Sequence, residues 1–302
     1  MDYITVGIGE VLWDMLPIGQ KIGGAPANFA YHASQFDLDS NVVSAIGNDS
    51  LGDEMIEVFE QKEIKYCFQR VDYPTGIVQI ALDSGGVPAY KIKGNVAWDN
   101  IPFTDELKQL AQRTSVVCFG SLAQRHAMSR NTICQFLDSM PDTDNVLKIF
   151  DINLRQNFYN KEILHDSLVR CNVLKINEEE AKVVGCLFDL PVTEPQEQCR
   201  ILLEQYRLQI VILTCGIDGS YIFTSKVSSF QKTPSVKVAD TVGAGDSFLA
   251  AFCAALLYGK SISEAHKLAV EVSAYVCSQH GSMPILSSEL KYKVIYLSLI
   301  HI

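Results

Sequence analysis

The stretch from Asp240 to Phe248, which reads DTVGAGDSF, decides the fold and the chemistry expected of this chain. Residues 235–240 alternate apolar and polar side chains, which predicts a short strand leading into it. Residues 248–258 form a dense apolar run without Pro or Gly, followed by Gly259, which predicts a buried helix with a glycine C-cap. The stretch is therefore interpreted as a glycine turn that opens a buried helix.

A turn of this kind favours an anion. Gly243 and Gly245 let the backbone approach a ligand closely and turn successive N–H groups outward. Those groups and the positive end of the helix dipole attract a phosphate. Asp246 in the first helical turn could accept a proton beside that anion, which is what phosphoryl transfer to a hydroxyl requires. From spacing alone, the alternative is a tight turn in which Asp246 only complements the helix dipole.

The composition excludes several classes of partner and compartment. The chain has 302 residues, of which 48% are apolar, so it is long enough to bury a large core. A net charge of −10 without a Lys/Arg run argues against a nucleic acid or an anionic membrane as partner. No secretory signal and no apolar run of membrane-spanning length is visible, so we expect a cytoplasmic protein. Nine scattered Cys without a Cys-x-x-Cys pair predict free thiols.

Short apolar strands alternate with helices along most of the chain. Strands are predicted near residues 4–9, 41–46, 115–120, 146–151, 172–176, 210–215 and 220–224. This order predicts an α/β fold of three αβα layers around a mostly parallel sheet. Two segments, about 10–22 and 73–100, break the alternation, and the second contains two antiparallel strands around the turn at 84–86. We expect a single domain over residues 1–302, in which these segments form a small β lid.

Further candidate residues lie at the predicted carboxyl ends of strands, where ligands bind in such sheets. A second glycine turn at Gly23-Gly24 opens a helix, so Gly24 would admit a small polar ligand and Asn28 would offer an amide to its hydroxyls. A plain helix start is the alternative. Arg155 follows another strand, and it would hold a sugar oxygen or a phosphate, or else form a surface ion pair.

Two more strand ends allow a structural and a functional interpretation. Asn177 and Glu180 fit either a capping box or the surroundings of a Mg²⁺ ion that is held through its waters. Residues 214–219 are typical of a hairpin turn. The six His show no metal-ligand spacing. Neither a nicotinamide-binding G-x-G-x-x-G motif nor a Walker loop is complete, because other residues occupy positions that need glycine.

Two motifs make the chain similar to the ribokinase-like (PfkB) carbohydrate kinases, from near Ile4 to about Pro284. Residues 23–30, GGAPANFA, match the N-terminal signature of that family, and residues 240–246, DTVGAGD, match its C-terminal signature. Within the family the chain most resembles the fructokinases, through softer markers that 2-keto-3-deoxygluconate kinases partly share. These markers are Gly9-Glu10 with Asp14, residues 120–125 and residues 151–155.

The resemblance implies ATP as phosphate donor, Mg²⁺ and K⁺ as ions, and a role for each matched residue. Asp246 would be the catalytic base, beside an anion hole formed by Gly243, Ala244 and Gly245. The sugar site would contain Asp14, Gly24 and Asn28, with Arg155 beside them. The nucleotide would lie by Thr214, Gly216 and Gly219. Asn177 and Glu180 would belong to the Mg²⁺ motif, and Asp240 and Val242 to a monovalent-cation site.

The expected activity is ATP-dependent phosphorylation of a free sugar, with D-fructose as the first choice. The alternatives within the family are 2-keto-3-deoxygluconate, ribose and a nucleoside. A phosphorylated sugar is less favoured because the sugar-side segments contain few basic residues, among them Lys91 and Lys93. The competing class is a non-catalytic sugar or nucleotide sensor, which we expect to lack Asp246 or the glycines. Family members often dimerise through the lid, so a homodimer is also expected.

Overall fold

Strands and helices alternate over most of the chain, as the sequence predicts. The computed structural model describes residues 3–16, 19–82, 88–192 and 194–296. Its strands are β1 (Ile4–Ile8), β2 (Leu12–Leu16), β3 (Gly19–Gly23), β4 (Asp39–Gly47), β5 (Lys65–Val71), β6 (Ile77–Leu82), β7 (Pro88–Ile92), β8 (Thr114–Gly120), β9 (Leu147–Asp151), β10 (Val173–Asn177), β11 (Ile210–Thr214), β12 (Ser220–Phe223) and β13 (Ser228–Gln231). Its α-helices are α1 (Ala25–Ser34), α2 (Ser50–Gln61), α3 (Asp105–Ala111), α4 (Ala127–Ser139), α5 (Lys161–Leu168), α6 (Glu178–Leu187), α7 (Pro195–Gln205), α8 (Ala244–Leu257), α9 (Ile262–Cys277) and α10 (Ser288–Ile295).

The main sheet, within those ranges, has nine strands in the order β13-β12-β11-β10-β9-β8-β1-β4-β5. Neighbours from β11 to β5 are parallel, and β12 and β13 add an antiparallel hairpin at one edge. Alternate residues of a strand face opposite sides of a sheet. In β8, Val117 and Phe119 join one core cluster, whereas Val116 and Cys118 join another. Helices cover both faces, which confirms the predicted three-layer α/β fold.

The carboxyl ends of the central parallel strands lie side by side. The register pairs Gly120 with Asp151, Asp151 with Lys175, and Asn177 with Thr214. On one face of the sheet, α8 buries residues 248–255 almost completely, so its axis is held firmly against the strands. Burial of such a dense apolar run is the main stabilising contribution to a helix in a globular protein.

A second, four-stranded sheet has the order β3-β2-β6-β7. The β2–β3 and β6–β7 pairs are antiparallel, and the β2–β6 pair is parallel. It is built from the two segments that break the strand–helix alternation in the sequence. The antiparallel pairing predicted for residues 76–82 and 89–93 is confirmed, whereas the turn predicted at 84–86 lies outside the described residues. A lid function for this sheet stays a prediction.

A buried arginine ties this second sheet to the main body. The Nε and Nη2 atoms of Arg125 donate to the two carboxylate oxygens of Asp99 at 2.8 and 2.9 Å. The guanidinium lies 4.1 Å from the ring centroid of Trp98 and 4.6 Å from that of Phe158. Nη2 also donates to the carbonyl oxygen of Lys93, directly after β7. A planar guanidinium satisfies a carboxylate and two ring faces at once, as a lysine could not.

The prediction of a strand over residues 235–240 is wrong. Val236 and Val238, on the apolar side of the alternating pattern, are 37% and 58% exposed, and residues 235, 237 and 239 on the other side are exposed too. The N–H groups of Ala239 and Asp240 donate to the carbonyl oxygen of Cys277, at 2.8 and 3.2 Å. A strand needs a neighbouring strand for its main-chain groups. In this segment the main-chain N–H groups instead bond to a carbonyl oxygen at the end of α9.

Four elements of the structure have no counterpart in the sequence interpretation. They are β5, β13, α3 and α10. The strands β5 and β13 lie at the two edges of the main sheet, where partial exposure weakens the hydrophobic pattern. The helix α10 is short and buries Leu290 and Val294 against the core on the α8 side. The remaining tail from residue 297 onward lies outside the described residues.

Two expectations from composition can be compared with the structure. The nine cysteines are all free, and five of them are buried, as expected for thiols used as small apolar side chains. No helix in the described ranges combines the length and the apolar character needed to cross a bilayer.

Candidate active site at the openings of α1 and α8

The glycine turn before α8 has the form predicted from the sequence. Gly243 is the N-cap residue with φ of 81°, in the left-handed region that favours glycine. A Cβ atom at this position would lie 2.6 Å from the carbonyl oxygen of Ser282, so close packing also requires glycine. At the other end of α8, Gly259 directly follows the C-cap residue Tyr258 with φ of 80°, which confirms the glycine predicted to end this helix. Because the N-cap residue of α8 is a glycine, it offers no side-chain cap to the first helical turn.

The first turn of α8 leaves main-chain donors for a ligand. The N–H of Ala244 makes a long bond of 3.3 Å to the carbonyl oxygen of Thr241, and that of Ser247 bonds to Gly243 at 2.9 Å. The N–H groups of Gly245 and Asp246 have no acceptor in the part of the chain that the structure describes. Together with the helix dipole, these two amides form an electropositive spot suited to an anion.

Asp246 contacts the other glycine turn through Asn28. The side-chain Nδ2 of Asn28 donates to Oδ2 of Asp246 at 2.8 Å, across 218 residues of sequence. Burial and the charge of Asp151 raise the pKa of Asp246 to about 6, against the opposing effects of Lys175, the Asn28 hydrogen bond and Arg155. Asp246 is therefore mostly ionised at pH 7 and able to accept a proton.

A buried ion pair that the sequence interpretation missed lies next to this turn. Lys175 places Nζ 2.9 and 3.1 Å from the two carboxylate oxygens of Asp151, and the side chains are 12% and 3% exposed. A Cβ at Gly245 would lie 2.8 Å from the same Nζ. Burial alone would lower the pKa of Lys175, but the charges of Asp151, Glu180 and Asp246 raise it above its ordinary value. A lysine inside the apolar strand β10 is the sequence signal that could have revealed it.

The glycine turn before α1 forms the opposite side of the site. Gly24 has φ of 115°, and a Cβ there would overlap the carbonyl oxygen of Glu10. Asn28 is buried, and its Oδ1 has no hydrogen-bond partner among the described residues. Asp14 on β2 is partly buried against Gly23, and burial raises the pKa of its carboxyl. A close approach of the backbone is therefore required here, beyond what a plain helix start needs.

Glu10 and Arg155 complete the charged surroundings. Glu10 is buried, and its Oε2 has no partner in the described ranges. Burial, with a smaller contribution from the charge of Asp246, raises the pKa of Glu10 to about 7. Hydrogen bonds from its own N–H and that of Ala25, together with the charge of Arg155, oppose this rise. Arg155 is exposed, and its Nη1 donates to the carbonyl oxygen of Leu154 at 3.2 Å. It makes no ion pair with a described residue, so the surface ion-pair interpretation is not supported.

Asn177 and Glu180 form the capping box that the sequence allows. The Glu180 N–H donates to Oδ1 of Asn177 at 2.8 Å, and the Asn177 N–H donates to Oε2 of Glu180 at 3.0 Å. Oε1 of Glu180 accepts from the N–H of Leu154 at 3.0 Å. In the described ranges no three His, Cys, Asp or Glu side chains are grouped for direct metal coordination. These oxygens retain lone pairs for the waters of a Mg²⁺ ion, and that role stays a prediction.

The predicted nucleotide residues lie in the hairpin between β11 and β12. Thr214 ends β11, Gly216 begins a 3₁₀ turn, and Gly219 leads into β12, which confirms the hairpin interpretation. Gly219 has φ of 133°, and a Cβ there would overlap the carbonyl oxygen of Gln231. Thr214 pairs with Asn177 in the sheet, so this hairpin borders the capping box. Nucleotide binding by these residues stays a prediction.

The predicted monovalent-cation segment is held by a carboxylate. Asp240 accepts the N–H of Val242 with Oδ1 at 3.1 Å and the N–H of Gly281 with Oδ2 at 3.2 Å. The side chain fixes the turn before α8 against the loop around Gly281. Each oxygen of this carboxylate accepts one N–H and keeps a lone pair, and monovalent-cation binding by Asp240 and Val242 stays a prediction.

Comparisons with known proteins identify the family to which this chain is similar. The model described as "pfkB family carbohydrate kinase" matches residues 11–289. The chain is 28% identical over 300 residues to an ATP-dependent 6-phosphofructokinase of Thermoanaerobacterium thermosaccharolyticum, covering 93% of this chain and 90% of the relative. It is 27% identical over 263 residues to a fructokinase of Salmonella typhimurium, covering 82% and 83%.

Solved structures support the same fold. The fructokinase with bound ATP from Xylella fastidiosa has a TM-score of 0.84 to this chain, at 20% identity, and the match covers 97% of this chain and 98% of the other. At this identity the likeness shows the fold alone, which is the ribokinase-like α/β fold.

Proposed function

Because the chain belongs to the pfkB family of carbohydrate kinases, we propose that it transfers the γ-phosphate of ATP to a hydroxyl of free D-fructose. One observation carries this proposal. The Asn28–Asp246 hydrogen bond of 2.8 Å joins the turn that opens α1 to the turn that opens α8. A hydroxyl that binds at Asn28 would thus lie beside a carboxylate and two unpaired amides.

The proposed reaction uses Asp246 as the base. Its carboxylate accepts the proton of the sugar's primary hydroxyl while the sugar oxygen attacks the γ-phosphorus roughly in line. The new O–P bond forms as the bond to the bridging oxygen of ADP breaks, and the product is fructose 6-phosphate. The amides of Gly245 and Asp246, beside Gly243 and Ala244, stabilise the charge that develops on the transferred group.

The remaining predicted residues have supporting roles in this scheme. ATP would lie along the hairpin of Thr214, Gly216 and Gly219, and relatives whose structures contain ATP support this donor. Asn177 and Glu180 would hold Mg²⁺ through its waters, and the ion supplies charge neutralisation on the phosphates. The segment from Asp240 to Val242 would bind K⁺. We treat the chain as one kinase domain whose second sheet covers the sugar, excludes water and offers a dimer contact.

A neutral sugar suits the charges of the site better than a phosphorylated one. The sugar side contains the carboxyl groups of Glu10, Asp14 and Asp246, against the exposed guanidinium of Arg155. The unpartnered Asn28 Oδ1 needs a donor, and so does the unpartnered Glu10 Oε2 in its ionised form, because a buried unpaired polar atom is costly. Sugar hydroxyls supply such donors, whereas a phosphate at neutral pH adds negative charge.

Fructose 6-phosphate is the second candidate acceptor. The observation that favours it is the 28% identity, over 93% of this chain, to the 6-phosphofructokinase. The basic groups that would bind its phosphate are Arg155, the exposed Lys91 on β7 and the exposed Lys93 directly after it. 2-Keto-3-deoxygluconate, ribose and a nucleoside are further candidate acceptors. Four 5-dehydro-2-deoxygluconokinases of Listeria monocytogenes are relatives at 21–22% identity.

A coupled assay of ADP release tests the proposal. The purified chain is given MgATP and each acceptor in turn, with and without K⁺, and Asp246→Asn serves as the inactive control. We expect the highest kcat/KM with D-fructose. A preference for fructose 6-phosphate would establish the second candidate and refute the first. Sugar binding by calorimetry without ADP release from any acceptor would instead indicate a sensor.

A further inference from the structure

The ion pair of Asp151 and Lys175 has no part in the mechanism above, although it lies against the turn that opens α8. Asp151 and Lys175 are directly paired across the neighbouring strands β9 and β10. Their contact is nearly bidentate, at 2.9 and 3.1 Å, and little of either side chain reaches solvent. Lys175 Nζ would be 2.8 Å from a Cβ at Gly245, the residue directly before Asp246. A cation is therefore fixed just behind the proposed base.

Asp246 is surrounded by groups from six places in the fold. They are Asn28 on α1, Glu10 after β1, Cys118 on β8, Asp151 on β9, Arg155 after β9 and Lys175 on β10. Two of them are cations. Arg155 is exposed, so water and salt screen its charge, whereas the Lys175 side chain is only 12% exposed and is held in one position by Asp151. Lys175 is thus the fixed positive charge next to Asp246, and Asp151 is the fixed negative one.

We propose that Lys175 is a positioning residue, whose ammonium is held by Asp151 against Gly245 and keeps the carboxylate of Asp246 ionised at neutral pH. This inference rests on the proposed function, because it gives Lys175 a task in preparing the base. An opposite charge nearby favours the ionised form of a carboxyl, and a like charge opposes it. The pair as a whole is close to neutral. Loss of Lys175 alone therefore raises the pKa of Asp246, and loss of Asp151 alone lowers it. Loss of both leaves the pKa nearly unchanged.

The test is a charge-compensation series read from pH profiles. The variants are Lys175→Met, Asp151→Asn, the double variant and Lys175→Arg, with Lys161→Met as a control that breaks the exposed ion pair to Asp189. The measured quantity is the midpoint of the acid limb of kcat/KM for the sugar, which reports the free enzyme's base. Lys175→Gln replaces Lys175→Met if the latter does not fold.

The expected shifts have opposite signs. Lys175→Met moves the acid limb to higher pH by about one unit or more, because Asp246 loses its buried cation. Asp151→Asn moves it to lower pH, because a like charge is removed. The double variant returns to within a few tenths of a unit of the wild type, on the order of the scatter between such measurements. Lys175→Arg and Lys161→Met leave the midpoint of the acid limb unchanged.

Two results would overturn the inference. One is a fall in turnover of Lys175→Met by the same factor at every pH, which would indicate a purely structural role. The other is a double variant in which the midpoint of the acid limb of kcat/KM stays shifted as far as in one of the single variants.

A measurement that needs no catalysis separates this inference from the proposed function. The ¹³C carboxyl resonance of Asp246, assigned by comparison with Asp246→Asn, is titrated in protein free of nucleotide and divalent ions. The same opposite shifts are expected in Lys175→Met and Asp151→Asn. If the wild type phosphorylates no sugar, the proposed function fails, yet this titration still decides whether Lys175 stabilises the carboxylate of Asp246.

Discussion

The turns that open α1 and α8 use the same backbone device in different surroundings. Both begin with a glycine of positive φ, Gly24 and Gly243, and neither helix has a side-chain N-cap. Gly24 packs against the main chain of Glu10, beside carboxyl and amide oxygens that lack donors. Gly243 packs against Ser282, with unpaired amides and the buried Lys175 nearby.

This difference indicates what each turn can bind. An open helix N-terminus is generally electropositive, so it does not by itself distinguish a sugar from a phosphate. Side chains make the distinction here. Acceptor groups around the α1 turn call for the hydroxyls of a polyol, and donors around the α8 turn call for an anion. Each prediction below changes one residue at or near these turns.

The largest effect is expected from Asp246→Asn. The variant keeps the volume of the side chain and an acceptor for Asn28 but cannot take a proton. We expect kcat with the preferred sugar to fall by about 10²–10⁴-fold, the range for loss of a general base. Nucleotide binding, measured by calorimetry, should stay close to that of the wild type. Turnover within about threefold of the wild type would contradict the base assignment.

Gly243→Ala tests whether the α8 turn needs glycine for packing as well as for φ. The matched control is Gly259→Ala at the other end of α8. The two glycines have φ of 81° and 80°, but a Cβ at Gly259 would have no atom of the described residues within 4 Å. We expect the control to lower the free energy of unfolding by about 1 kcal/mol, from left-handed strain alone. Gly243→Ala should lower it by about 3 kcal/mol, because the methyl group also overlaps Ser282.

Urea unfolding and turnover together check this pair of variants. Gly243→Ala should also lose most of its activity, since the amides of Gly245 and Asp246 would move with the turn. Equal losses of stability in the two variants would show that packing against Ser282 contributes nothing.

Asn28→Ala tests the α1 turn. It removes the unpartnered Oδ1 that we assign to a sugar hydroxyl and the donor to Asp246. We expect kcat/KM for the sugar to fall about 10–100-fold, mainly through a higher KM, as for loss of one or two hydrogen bonds to substrate. Asn48→Ala is the control, because Asn48 makes an exposed bond to Asp72. A loss confined to kcat would instead assign Asn28 to the base alone.

The sequence predicts the glycine turns well because each is a local feature. A glycine pair, a following apolar run and a terminal glycine are contiguous, so Gly243 and Gly259 could be assigned without tertiary information. Alternation with helices likewise predicts the parallel sheet. The false strand at 235–240 shows the limit of this reasoning, since an alternating pattern does not reveal whether a partner strand is present.

The charged groups around Asp246 could not be predicted in the same way. The Asp151–Lys175 pair depends on the register of β9 against β10, and its contact with Gly245 depends on how α8 packs on the sheet. Glu10 was only a family marker in the sequence, and its buried, unpartnered Oε2 is a tertiary property. The charges around Asp246 therefore depend on long-range contacts, whereas the backbone conformation of the glycine turns follows from the local sequence.

The smallest effect on activity is expected from His32, which lies in the last turn of α1 and joins that helix to the loop beside the α8 turn. Its Nε2 bonds to the carbonyl oxygen of Ser282 at 2.8 Å, the atom that Gly243 packs against. Burial lowers the pKa of His32 to about 4, despite the opposing bond to Ser282. The folded protein therefore binds fewer protons than the unfolded chain between pH 6.5 and about 4. Stability contributed by this residue is complete above that window and is lost as the pH falls through it.

His32→Gln keeps a donor for Ser282 and removes the titration. We expect its free energy of unfolding, measured in urea at several pH values, to fall less steeply than that of the wild type as the pH drops from 6.5 to 4. The expected difference is about 1–3 kcal/mol at the acid end. Asp246 and Glu10 act in the opposite sense, because their raised pKa values stabilise the folded state as the pH falls. Substitution of the exposed His165 by Gln serves as control. If the free energy of unfolding falls with pH equally steeply in both variants, His32 is not held neutral against Ser282.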